Sequence, residues 1–109
     1  MNFIIHKTVI FLLLLSYLPF SSAKEVTYIG AIPCGKWSKY RQKNDLGNMV
    51  AQGNMVGYLS GLAVGANSDY LNNADLGSLL LWVDKYCQNS PLKNTYQAGD
   101  DLFRELKKD

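Results

Sequence analysis

Between Asn48 and Asn67 the chain reads NMVAQGNMVGYLSGLAVGAN, with glycines at Gly53, Gly57, Gly61 and Gly65, each four residues after the last. On an α-helix this spacing lays them in one ridge that drifts slowly around the axis. Most positions between them are apolar: Met49, Val50, Met55, Val56, Leu59, Leu62, Ala63 and Val64. A glycine inside a helix costs about 1 kcal/mol relative to alanine. Four in register imply a compensating contact, expected here to be another backbone packed along the ridge. The stretch is therefore expected to be the central, buried helix of a small helical protein. A Gly-x-x-x-Gly ridge also marks helix association in membranes. Polar Gln52, Asn54, Ser60 and Asn67 interrupt this one, so close packing inside a soluble core is the expectation.

The first residues read as an export signal. A short start carrying His6 and Lys7 precedes the apolar run Val9 to Leu15, and Ser21-Ser22-Ala23 supplies the small residues of a cleavage site after Ala23. The run is too short for a comfortable membrane span. No cysteine sits just after the cleavage point, so no lipid anchor is expected there. The expected division is a signal peptide over 1–23 and a single helical domain over 24–109. The mature part, about 86 residues, is one thinly stabilised domain. Its two cysteines, Cys34 and Cys87, are expected to pair in an oxidising compartment. A bridge across a loop of that length contributes about 4 kcal/mol if unstrained. Free or metal-binding thiols are the alternative, but nothing nearby completes a tetrahedral site. The formal net charge is +2, a balance that does not suggest nucleic acid. Basic residues gather early, at Lys36, Lys39, Arg41 and Lys43, and most acidic residues late.

Along the mature chain, Lys24 to Ile32 reads as a short extended arm or an edge strand. From Cys34 a short helix puts Trp37 and Tyr40 on one side and the basic residues over the other. The turn Asn44 to Asn48 caps the glycine helix. After a polar loop, Asn73 or Asp75 caps a helix whose buried face holds Leu76, Leu79, Leu80, Val83 and Cys87. Ser90 as N-cap and Pro91 as first helical residue predict a restart. Leu92, Thr95, Tyr96, Gly99, Leu102, Phe103 and Leu106 form its apolar face. Asp100 with Arg104 and Glu105 with Lys108 are predicted surface pairs.

Chemistry is sparse. The only histidine, His6, lies in the signal, so the mature part has no general base of the Ser-His-Asp or Cys-His kind. The glycine ridge lacks the Lys-Ser/Thr of a phosphate loop. Asp100 and Asp101 point about 100° apart on a helix and cannot flank one glycosidic bond. No enzyme, cofactor or metal site is expected. The segment with Lys36, Lys39, Tyr40 and Arg41 is the candidate partner-binding surface, against a plain solvated helix face. Trp82 and Tyr86 suit either a ligand cleft or the core. Weak glycine packing that opens under stress would suit a conditional chaperone.

The order of features resembles a family. An exported leader, Cys34 with Trp37, then GYLSGLAVGAN at Gly57 to Asn67, WVDKYCQNSPL at Trp82 to Leu92 and a last amphipathic helix through Leu102 and Phe103 resemble the small two-cysteine periplasmic proteins of the Rap1a/Tai immunity type. More distantly, in architecture, they resemble the HdeA-like acid-stress proteins. The resemblance implies a helical bundle stapled by Cys34–Cys87; with the short extended N-terminal arm read above, the expected fold is all-α. It further implies a periplasmic, non-enzymatic protein that blocks a cell-wall-degrading amidase effector. The alternatives are an acid-stress chaperone of unfolded clients or an accessory protein of a mobile genetic element. A protein partner is expected, a homodimer is open, and neither nucleic acid nor stable membrane insertion is expected after processing.

Overall fold

The computed structural model describes residues 26–108 and, before them, residue 7 alone. The export segment and its cleavage point after Ala23 thus fall outside the described residues, except at residue 7. The described part is all-helical: α1 (Cys34–Arg41), α2 (Leu46–Gly65), α3 (Leu76–Asn89) and α4 (Thr95–Lys107). Helix α1 packs on α3, α2 on α4, and α3 on α4, with a lighter contact of α1 on α2.

Each start has a local cause. Asp45 and Asp75 accept the backbone N–H of Asn48 and Ser78 at the heads of α2 and α3. Hydrogen bonds from Ser78, side chain first, hold the Asp75 carboxyl below its ordinary pKa. Asn94 and Gln97 form a reciprocal capping box on α4. Helix α2 stops where Asn67 turns left-handed, at φ 48°. Asn67 N–H then donates to Val64 and Ser68 N–H to Ala63, closing the last carbonyls in a Schellman motif.

The predicted restart at Ser90-Pro91 is corrected. Lys93 N–H donates to Ser90 O, so Pro91 and Leu92 sit in a turn, and Leu92 is fully exposed. The capping box moves the first turn to Thr95. There the arm meets it. Thr95 N–H donates to Ile32 O, Ile32 N–H to Thr95 Oγ1, and Cys34 N–H to Lys93 O. The arm makes one bridge pair, Pro33 with Asn94, rather than a strand.

The core joins Cys34 and Trp37 of α1, Ala51, Met55 and Leu59 of α2, Leu80, Val83 and Cys87 of α3, and Ala98 and Leu102 of α4. The disulfide Cys34–Cys87 lies inside it, both residues buried, and ties the head of α1 to the tail of α3. Leu76, on the predicted inner stripe of α3, is half exposed, one turn outside the core.

The glycine ridge faces the other way. Gly53, Gly57, Gly61 and Gly65 are exposed, and a Cβ at any of them would meet nothing within 4 Å. Ala51, Met55, Leu59 and Ala63, four apart on the opposite side of α2, make the inward face instead. The expected backbone contact along the ridge is therefore absent within the described chain. The close approach sits across the α2–α4 seam, at Gly99. A Cβ there would lie 2.7 Å from Met55 Cε and 2.8 Å from Tyr58 Cδ1.

Candidate binding surface at the α1–α2 corner

Helix α1 is short and splits its side chains between two jobs. Trp37 is buried and donates its indole N–H to Asp84 Oδ1 at 2.8 Å. Arg41, one turn on, donates to the same carboxylate through Nε at 2.9 Å and Nη2 at 3.2 Å. It also lies over the Trp37 ring and reaches Asn48. Arg41 is thus spent on joining α1 to α3, and its place on the candidate partner surface is corrected. Trp37 and Arg41, four apart on one face of α1, share this acceptor only because the fold brings Asp84 to them.

The other three candidates converge. Lys36, Lys39 and Tyr40, with Lys43, Asp45 and Gly47, line an open groove of about 310 Å³. Beside it runs a groove of about 440 Å³ lined by Ile32, Leu46, Val50, Ala51 and Asn54, and again by Tyr40 and Gly47. The two share an edge and form one surface: an apolar trough with a lysine rim. None of the three lysines is in an ion pair with a described residue. An apolar centre inside a polar rim is the ordinary anatomy of a protein interface.

A second cluster lies across the molecule. The Asp100 carboxylate accepts the Tyr28 phenol at Oδ2 and the Tyr58 phenol at Oδ1, each at 2.6 Å. It ties the arm, α2 and α4 together, and Tyr58 stacks on Tyr96 with ring centres 3.9 Å apart. The predicted Asp100–Arg104 pair is corrected: Arg104 pairs with Asp101, while Lys108 pairs with Glu105 as expected. Burial, then the bond to Asp100, pushes the Tyr58 phenol well above its ordinary pKa. The same bond, ahead of burial, raises Tyr28. Nearby, Tyr86 is pushed up to about 12 by burial and by the Asp101 carboxylate. Its hydroxyl nevertheless has no partner in hydrogen-bonding geometry among the described residues. A polar cleft of about 180 Å³ is lined by Tyr28, Tyr86, Lys93, Gln97, Asp100, Asp101 and Arg104. Its carboxylates are already engaged with tyrosines and arginine. Trp82 stacks on Tyr86 at 5.6 Å along the outer side of α3, half-buried against the core.

Helix α2, the longest and most apolar, falls short of a membrane-crossing helix, as does every described helix. In comparisons with protein-family models, curated proteins and solved structures, none matches the chain.

Proposed function

We propose that the chain is an exported, non-enzymatic binding protein whose α1–α2 corner docks on a protein partner with an acidic rim. We further propose that this partner is a cell-wall-degrading amidase held inactive in the periplasm, the role that the Rap1a/Tai resemblance implies. The observation that carries the reading is the apolar trough of Ile32, Leu46 and Val50 edged by Lys36, Lys39 and Lys43. Steering by such a rim is salt-dependent. Anchoring by the trough is less so.

The test is co-expression of the secreted protein with a periplasm-directed amidase, followed by titration of the purified pair. The reading expects a stoichiometric complex that blocks peptidoglycan hydrolysis. The Lys36→Glu, Lys39→Glu double variant should weaken it at least about tenfold, as should added salt. Equal inhibition by the double variant removes the corner from the reading.

One observation favours a second reading, the acid-stress chaperone. Asp84 and Asp100 each gather donors from other elements, so two side chains hold several seams of the frame. That reading expects dye-binding apolar surface to appear only on acidification, below about pH 3.

A further inference from the structure

Trp82 and Tyr86 stand one turn apart on the outer side of α3, their ring centres 5.6 Å apart and their planes 21° from parallel. With Lys85, Asn89 and Ser90 they line a groove of about 290 Å³. Tyr86 also lines the polar cleft of about 180 Å³ that the arm, α3 and α4 enclose. Its side chain is thus a wall common to both spaces. Neither space alone reaches the roughly 300–1,000 Å³ of an ordinary small-molecule site, whereas the two together do.

The hydrogen-bonding inventory of the cleft is one-sided. Its carboxylates are occupied: Asp100 takes two phenols and Asp101 takes Arg104. Several donors are not. The Lys93 ammonium makes no ion pair with a described residue and lies 5.8 Å from the centre of the Tyr86 ring. Gln97 spends its side-chain carbonyl on the Asn94 backbone, which leaves its amide N–H groups over among the described residues. The Tyr86 hydroxyl, covered from solvent, has no partner among them either. A buried polar group in that state costs stability unless something else takes its hydrogen bond. Lys93 and Arg104, beside it in the cleft, are long and exposed, so they can turn aside for a ligand.

Three properties of that ligand follow. Two cations, Lys93 and Arg104, face two carboxylates, Asp100 and Asp101, so the cleft favours a neutral molecule over an ion. Lys85, the one further charge, is exposed at the rim of the neighbouring groove. Spare donors call for a molecule rich in oxygen acceptors. The Trp82–Tyr86 pair calls for one with an apolar face to lie against an aromatic wall. A pyranose ring meets all three: it is uncharged, carries oxygens around its rim and presents C–H groups on its faces.

We infer that the cleft and groove on either side of Tyr86 form a binding site for a neutral saccharide of mono- or disaccharide size. Lys93, Gln97 and Tyr86 donate to its oxygens, and the Trp82–Tyr86 pair flanks its ring. The site lies away from the α1–α2 corner, and the inference stands whether or not an amidase is the partner.

The experiment is a titration of the secreted, isotope-labelled protein with diacetylchitobiose, a neutral disaccharide, followed through its backbone amide shifts. Sodium acetate at matched ionic strength is the arm for a plain anion site. The expected result is saturable shifts confined to α3 from Trp82 onward, the turn after it and α4, with a dissociation constant of about 1–10 mM. Tyr86→Phe and Lys93→Ala should each raise that constant at least about fivefold, the worth of one hydrogen bond. The Tyr86 hydroxyl has no partner in the described fold, so Tyr86→Phe should not lower the melting temperature. Lys93→Ala, at an exposed position, carries the test alone if it does. Three results overturn the inference. One is the absence of shifts up to about 50 mM disaccharide. The second is acetate binding as tightly as the disaccharide, and the third is undiminished binding in both variants.

Discussion

Gly99 of α4 and Met55 of α2 touch so closely that a single added carbon at 99 would come within 2.7 Å of Met55 Cε. The methionine tip can turn aside, but the Tyr58 ring on the other side, 2.8 Å away, cannot easily do so. It is stacked on Tyr96 and bonded to Asp100. Gly99→Ala should therefore destabilise the fold by about 1–3 kcal/mol through overpacking. Gly61→Ala, in open space on α2, should change the monomer in the opposite direction, by up to about 1 kcal/mol. Urea denaturation of the two variants at low concentration checks the sign of each.

Asp84 is the acceptor that fixes α1 to α3, and its loss orphans two donors at once. Asp84→Ala leaves the buried indole N–H of Trp37 without its partner, and Arg41 without its carboxylate. A loss of about 1–3 kcal/mol is expected. Asp84→Asn retains an oxygen for the indole and should lose less. Chemical denaturation, with Trp37 fluorescence as an added probe, would show the order.

Breaking the Cys34–Cys87 bridge releases a loop spanning 53 positions. The Cys34→Ser, Cys87→Ser variant should lose about 2–5 kcal/mol. That is a large share of the stability of a domain this size. Thermal scans of the wild type with and without reductant should reproduce the difference, since only the disulfide changes.

The tyrosines set an alkaline limit. Tyr28, Tyr58 and Tyr86 all hold their protons more tightly in the fold than when exposed. Above about pH 10 the unfolded chain gives up those protons first, so it binds fewer than the native state and stability falls as pH rises. From neutral pH to about pH 10 these tyrosines leave the melting temperature flat, and above it they make it decline. Tyr58→Phe removes one of the three groups and should shallow the decline. A profile unchanged in Tyr58→Phe would discharge that tyrosine from the effect.

Helix count, the bridge and the inward stripe of α3 were legible because each is a one-dimensional pattern. Leu80, Val83 and Cys87 recur at helical spacing and are buried. Helix α2 was legible as a helix but not in its orientation. Val50 and Val64 on one side are about as apolar as Met55 and Leu59 on the other, so composition did not say which side turns inward. The glycines were read as a packing surface, whereas Gly99, a single glycine in a mixed face, is where the helices actually close. The start of α4 was misread because Ser90-Pro91 is a good helix opening by itself. The Asn94–Gln97 box and the arm's bonds to Thr95 and Lys93 outweigh it. Of the candidate surface, charge and aromatic spacing single out Lys36, Lys39 and Tyr40, which line one groove. Arg41 was not separable from them, because only the fold brings Asp84 within its reach.

The bridge from the head of α1 to the tail of α3 also determines what a protease can undo. The polar connection over residues 66–75 lies between Cys34 and Cys87, inside the covalent ring that they close. A cut there yields two chains still joined through sulfur, with α2 held on one and α3 on the other. A cut over residues 90–94 instead frees α4. That helix is retained by its seam with α2 and α3 and by the grip of Asp100 on Tyr28 and Tyr58. Digestion without reductant should therefore spare the mass of a molecule nicked in the first loop and shed a fragment from one nicked in the second.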